Sequence, residues 1–222
     1  MTDSSTSALS DFFTLKVDNY LQFVADYNHQ SWPLQISSLI ICLWLLWLLH
    51  QNNRSKTVCR IMAACWIWVG VYFHYHFYLP LTPLASIYAV AFVVQGLLFI
   101  WLSSKIQFYS PYFHRYSKIG YAGLACCMLL PTLAASFSGQ SWWHIPLVGM
   151  MPTPTALATL SLLLLTGSKY RGLLAVIAFC WCMIAGITAM MNNMPWWFVA
   201  PLAAIAACGL IIAERRKPVE VH

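Results

Sequence analysis

Of the 222 residues, 60% are hydrophobic and only 8% are charged, whereas soluble domains carry roughly 25% charged residues. The composition therefore excludes an ordinary soluble domain and predicts a membrane protein whose main partner is the lipid bilayer. The net charge of +6 follows the topology described below and forms no nucleic-acid patch.

The first predicted element is an amphipathic helix over residues 9–27. Val24 and Tyr27 fall on its apolar face, and Gln22 and Asp26 fall on its polar face. The pattern fits a helix lying on the outer membrane surface, and it fits equally a helix that caps the bundle. We assign residues 1–30 to this outer-surface segment.

Apolar blocks of about 20 residues follow, which is the length a helix needs to cross a bilayer. They predict an all-α bundle forming a single transmembrane domain over residues 31–213, with a cytoplasmic tail at 214–222. Lys and Arg occur in alternate links and in the tail, so the positive-inside rule places the N-terminus outside and the C-terminus in the cytoplasm. The seven predicted spans are 34–50, 57–79, 84–103, 118–138, 145–166, 171–190 and 195–213.

The stretch "YFHYHFY" (72–78) sets two histidines within the second span. Side chains two positions apart on a helix point in nearly opposite directions, so His74 and His76 cannot hold one metal together. At most one of them faces the bundle interior. A metal or haem site built across segments from His29, His74 and His144 stays open as an alternative, although no ligand-spaced motif supports it.

The stretch "GMMPTPTALATL" (149–160) predicts an interrupted fifth span, because Pro152 and Pro154 each remove a backbone donor. Thr153 is the expected N-cap and Pro154 the expected first residue of a half-helix of about 12 residues. Such a half-helix points its positive end into the membrane, as in transporters that hold anionic groups.

Pro131 in the fourth span and Pro201 in the seventh lie at a similar depth, so three spans are expected to be weakened in their outer halves. Ordinary proline kinks are the alternative. If a cavity exists there, its wall would include His74, Gln95, Thr153 and Thr155, with aromatic lining from Trp68 and Tyr72. The predicted ligand-binding residues are His74, Gln95, Thr153, Thr155, Trp68 and Tyr72.

Several functional classes are disfavoured by what the spans lack. The seventh predicted span has no lysine for a retinal Schiff base. No Asp or Glu lies within a predicted span, although proton-coupled carriers and intramembrane aspartyl proteases use such carboxylates. No phosphate-binding loop or zinc-protease motif occurs either. The sequence therefore favours a role other than catalysis.

Three stretches carry a resemblance: "YNHQSWPLQ" (27–35), "WVGVYFHYHFYLPLTPLA" (68–85) with "QGLLFIW" (95–101), and "GMMPTPTALATLSLLLL" (149–165). Together they resemble a bacterial multi-pass membrane family catalogued only as a domain of unknown function. The resemblance implies a location in the bacterial inner membrane, and it implies no reaction. His74 belongs to the family pattern and His76 does not, and Thr153 stands where a cysteine is commoner. The other marked positions are Tyr27, Asn28, Trp32, Pro33, Trp68, Gly70, Pro80, Pro83, Pro152, Pro154 and Thr155.

Three functional hypotheses follow. The first is a permease-like or small-ligand-binding protein whose site opens outward at the broken fifth span. The second is a metal- or haem-binding membrane subunit that uses His74 with His144 or His29. The third is a structural subunit of a larger membrane complex, with other membrane subunits as its partners.

Overall fold

The computed structural model describes residues 17–51, 54–108, 116–138 and 141–215, and in those ranges the chain is all-helical without strands. This confirms the all-helical part of the predicted fold class. The eight α-helices are α1 Val17–Gln30, α2 Trp32–His50, α3 Ser55–Trp68, α4 Ala85–Leu102, α5 Ser117–Ser138, α6 Pro152–Leu163, α7 Arg171–Met191 and α8 Val199–Arg215. A π-helix, Val69–Tyr78, continues directly from α3, and a short 3-10 helix, Trp142–His144, precedes α6.

Four of the described helices are long and apolar enough to cross a membrane: α2, α3 together with its π-helical extension, α4 and α7. Shorter apolar stretches lie in α5 and α8, and α6 has only 12 residues. The count of seven spans and their orientation stay predictions. The division into residues 1–30, 31–213 and 214–222 stays a prediction as well.

The α3 and α4 helices pack closely because a glycine lies at their contact. A Cβ atom at Gly96 would lie 2.6 Å from Ile67 Cγ1 and 2.9 Å from the Ala63 carbonyl oxygen. Glycine thus lets the two backbones approach, as is typical of helix pairs in membranes, where van der Waals packing drives association. The outer faces of these helices carry exposed apolar side chains such as Val71 and Val90.

The α1 helix packs its apolar face on the bundle. Val24 and Tyr27 are buried, while Gln22 and Asp26 are exposed, as the sequence predicts for these four positions. Phe23 contacts the Phe73 ring at a centroid distance of 5.7 Å. Residues 9–16 of the predicted helix lie outside the described residues, and a location on the membrane surface stays a prediction.

The three prolines do not act alike. Pro131 lies inside α5, which continues to Ser138. Pro201 is the third residue of α8, in a first turn where its missing N–H had no helical partner to lose. The expectation that Pro131 and Pro201 weaken the outer halves of their spans, with ordinary proline kinks as the alternative, stays a prediction. Within the part of the chain that the structure describes, residues 145–151 of the predicted fifth span and residues 195–198 at the start of the predicted seventh span are not helical.

A buried ion pair ties the start of α7 to the end of α8. Arg171 pairs with Glu214 and also donates to the carbonyl oxygens of Thr166, at 3.1 Å, and Ile211, at 3.0 Å. Only 3% of Arg171 is exposed. Arg171 therefore pairs backbone carbonyl groups in addition to any role in topology. Its position in a basic link of the sequence does not predict these hydrogen bonds.

Candidate functional site

The unwound segment, residues 145–151, leads into α6. Met151 has extended backbone angles and is the N-cap, and Pro152 is the first helical residue. The expected N-cap at Thr153 was therefore wrong by two residues. Pro152 supplies the φ angle that the first helical position needs, and Pro154 falls at the third position, where no helical N–H bond is lost.

Three carbonyl groups of the unwound segment, and one just before it, are paired by side chains of α1 and α2. Non-helical backbone inside a membrane protein needs such partners, because lipid offers none. Three side chains donate: Asn28 to the Trp143 and Ile145 oxygens at 2.6 and 3.2 Å, Tyr27 to Met150 at 2.9 Å, and Ser38 to Val148. Burial raises the pKa of the Tyr27 phenol, so its hydroxyl remains a donor at any physiological pH.

Thr155 closes the turn that precedes α6. Its hydroxyl accepts from the Gly149 N–H at 2.8 Å and donates to the Met151 carbonyl at 2.7 Å. Gly149 has φ +82, and a Cβ atom there would lie 2.9 Å from Cys65 Sγ, so both its conformation and its neighbours require glycine. This predicted ligand-binding residue is thus already engaged in two bonds of its own turn.

The positive end of α6 offers fewer donors than the half-helix argument requires. Of the first four helical residues, Pro152 and Pro154 have no N–H, and the Thr155 N–H bonds to the Met151 oxygen at 3.4 Å. Only the Thr153 amide remains of the four that a helix start normally presents. The paired prolines that interrupt the span also weaken it as an anion site.

The π-helix positions the two histidines on opposite sides. His74 has no exposed surface, whereas His76 is exposed, which confirms that the two face in different directions. π-Helical stretches are rare and occur frequently at functional sites. The His74 ring is surrounded by five aromatic rings at centroid distances of 4.6 to 6.1 Å, those of Phe92, Trp181, Phe73, Tyr88 and Tyr78.

Neither nitrogen of the His74 imidazole has a hydrogen-bond partner among the described residues. Buried polar groups are nearly always paired, and leaving one unpaired costs roughly 1 to 3 kcal/mol. Edge-to-face contacts with Phe92 and Trp181 compensate weakly at best. The unpaired imidazole is the main anomaly of the site.

Trp181 connects His74 to the start of α6. Its ring centroid lies 4.9 Å from that of His74, and its Nε1 donates to the Thr153 hydroxyl at 3.2 Å. The structure therefore brings two predicted site residues together through an indole that the sequence analysis missed. A signal existed, because Trp181 lies in the middle of a span, away from the headgroup level where most tryptophans anchor.

Gln95 and Gln35 are two further fully buried amides. Gln95 lies one turn beyond Phe92 on α4 and donates to the Leu174 carbonyl at 2.8 Å, while its oxygen is unpaired within the described chain. Gln35 lies on α2 one turn before Ser38 and has neither amide atom paired in that same part of the chain. The analysis missed Gln35, although a glutamine inside an apolar span is itself a signal.

Trp68 and Tyr72 were predicted to line the site, but their rings contact others instead. Tyr72 lies 4.5 Å from Trp68, 5.5 Å from His76 and 6.0 Å from Tyr27 by ring centroids. This stack lies on the His76 side because Tyr72 and His74 are two positions apart. The role of these two rings as ligand-binding residues stays a prediction.

The histidines proposed as weak metal ligands are not assembled into a cluster. The His29 ring contacts Trp143 at 4.9 Å, and His144 lies in the 3-10 helix. Across the described ranges no group of three or more His, Cys, Asp or Glu side chains has an arrangement suited to a metal ion.

Fold and site together define an all-helical protein with membrane-length helices, an interrupted helix and a closed buried polar site. The chain belongs to a family described as "Family of unknown function (DUF6064)", whose sequence profile matches residues 17–220. This confirms the resemblance to a family of unknown function. No curated protein and no solved structure matches the chain.

Proposed function

We propose that the protein is an integral membrane protein of the permease-like or small-ligand-binding type, with an outward-facing site between the π-helix and the start of α6. The observation that carries this proposal is the fully buried His74 imidazole without a hydrogen-bond partner in the described structure. The apolar outer faces of four membrane-length helices support the location in the membrane.

The energetic argument concerns what would relieve the unpaired imidazole. A neutral imidazole has one donor and one acceptor nitrogen, and a small polar ligand can satisfy both. The surrounding aromatic rings offer apolar walls, which is the usual composition of a ligand site: mostly apolar with a few placed polar groups. A site of this kind gains more from a ligand than a fully paired site does.

Access requires a conformational change. His74, Gln95 and Thr155 have no exposed surface, whereas Thr153 is half-buried. In the array formed by His74, Trp181 and Thr153, the two half-buried members are therefore Thr153 and Trp181, and Thr153 lies at the start of α6. We take the structure as the closed state of a site that opens at the start of α6.

Cysteine labelling tests the opening. In a chain whose eight native cysteines are replaced, Thr153→Cys is treated in sealed cells with a membrane-impermeant, water-soluble thiol reagent. We expect labelling, because an outward-opening site admits water and only the hydrated thiolate reacts rapidly.

Two matched cysteines calibrate the experiment. Val94→Cys places the thiol on the apolar outer face of α4, where lipid should prevent reaction, and Ser141→Cys places it at an exposed position before the 3-10 helix. Labelling of Ser141→Cys without labelling of Thr153→Cys, under all conditions that keep the protein folded, would contradict the proposal.

A further inference from the structure

A groove of about 400 Å³ lies where the start of α3 meets the chain that follows α4. It is distant in sequence from every residue of the His74 array. Its volume is within the usual range of ligand sites. The lining consists of basic, hydroxyl and amide side chains with one isoleucine, and contains no acidic residue: Ser55, Lys56, Ser103, Ser104, Lys105, Ile106 and Gln107.

The two lysines of the groove have no acidic partner in the described structure. The carboxylate side chains that the structure describes are those of Asp26 in α1 and of Glu214, and Glu214 is engaged by Arg171. Lys105 instead holds its ammonium group 4.6 Å from the centroid of the Trp101 ring and 5.5 Å from that of Tyr170. Two positively charged residues that line one groove without a counter-charge favour an anion in it.

The wall of the groove is held in place. The Phe108 N–H donates to the Ser55 hydroxyl at 2.9 Å, and the Lys105 N–H donates to the Leu102 carbonyl at 2.8 Å. Ile106 and Phe108 are buried, so their side chains anchor the segment that carries Lys105. The Ser55 hydroxyl accepts that bond and keeps its own hydrogen available for a ligand.

The groove lies at the end of an apolar surface. Leu97, Ile100 and Trp101 are exposed along the last turns of α4, and Lys105 follows immediately. An exposed tryptophan followed by lysine is the arrangement usual at the boundary between hydrocarbon and headgroups. The groove therefore opens at the depth where lipid phosphates lie, provided that the chain is embedded as proposed above.

We propose that this groove binds the phosphate of an anionic phospholipid headgroup, with Lys56 and Lys105 contacting the phosphate oxygens and the serine hydroxyls donating to them. Lysine is a common point-charge ligand of phosphate, and basic recesses between membrane helices bind anionic headgroups. A phosphate diester at membrane depth is favoured over a soluble phosphate because the groove borders the exposed apolar face of α4.

The test uses the purified full-length protein in detergent. Phosphatidylglycerol should raise the thermal denaturation midpoint by about 3 °C more than phosphatidylcholine does, because a ligand of the folded state stabilises it. The double substitution Lys56→Gln with Lys105→Gln should remove at least half of that difference. Lys118→Gln, which removes an exposed lysine at the start of α5 outside the groove, should leave it unchanged.

Three results would overturn the assignment: equal stabilisation by both lipids, an equal loss in Lys118→Gln, or full replacement of the lipid effect by soluble glycerol 1-phosphate. The first two point to general surface charge, and the third to a soluble phosphate ligand. Because the inference rests on the proposed membrane location, extraction by alkaline carbonate is measured in parallel. A protein that resists extraction and labels at Thr153→Cys, but responds equally to both lipids, disproves this inference alone.

Discussion

The unwound segment before α6 and the π-helix both depart from regular α-helix, and they differ in how their polar groups are paired. In the unwound segment before α6, side chains of Tyr27, Asn28 and Ser38 pair the carbonyls released by the break. Around the π-helix the backbone stays helical, yet the His74 imidazole is buried without a described partner. A broken helix is therefore not by itself evidence of a site, and the candidate site rests instead on the buried imidazole that has neither nitrogen paired among the described residues.

The reason lies in what each departure releases. Ending a helix frees several backbone groups at once, and a fold in lipid persists only if protein groups bind them. A widened helix frees few backbone groups but changes which side chains face inward. The unwound segment therefore requires stabilising partners, while the π-helix can bury a costly group such as His74 that stability alone does not explain.

The largest expected effect comes from breaking the paired region at Asn28. Asn28→Ala leaves the Trp143 and Ile145 carbonyls without their donor, and we expect a loss of roughly 2 to 4 kcal/mol, since each unpaired group costs about 1 to 3 kcal/mol. Thermal denaturation of the purified protein in detergent measures this loss.

Gln30→Ala is the matched control, because Gln30 lies in the same helix and is exposed. It should change the midpoint little. If Asn28→Ala were as mild as this control, the side chain would not be stabilising the unwound segment, and the contrast between the two regions would disappear.

A smaller loss is expected at the turn itself. Gly149→Ala forces a side chain into φ +82 and toward Cys65 Sγ, which should destabilise the fold by roughly 1 to 2 kcal/mol. The same chemical change at Gly209, in the α8 helix with no atom within 4 Å of a new Cβ, should be neutral or stabilising, because alanine favours helix. Equal midpoints for the two variants would show that the turn relaxes freely.

The sequence predicts the two regions unequally. The break before α6 can be predicted from local sequence, because proline lacks a backbone N–H in any context. Pro152 and Pro154 therefore indicate the break by themselves. The partners of the freed carbonyls are more than 100 residues away in the chain, at Asn28 and Ser38, and no local pattern encodes such a pairing.

The π-helix was equally invisible in the sequence. An apolar, aromatic run such as residues 69–78 gives the same hydropathy signal whether its helix is regular or widened. The opposite facing of His74 and His76 was predictable, since it depends only on a spacing of two. The ring neighbours of His74 were not, because Phe92 and Trp181 come from other helices.

The smallest expected stability change, and the one of opposite sign, is at His74. Replacing an unpaired buried imidazole with an apolar side chain of similar size removes a desolvation cost, so His74→Leu should be neutral or stabilising by about 1 kcal/mol. The exposed His76→Leu is the matched control for stability.

If the His74 imidazole is kept for a ligand, His74→Leu should also slow the labelling of Thr153→Cys, because the array then loses the polar group that attracts water. His76→Leu should leave the labelling rate unchanged. A destabilisation as large as that of Asn28→Ala would mean that His74 is paired in the protein after all, and the imidazole would then belong with the structural groups of the unwound segment.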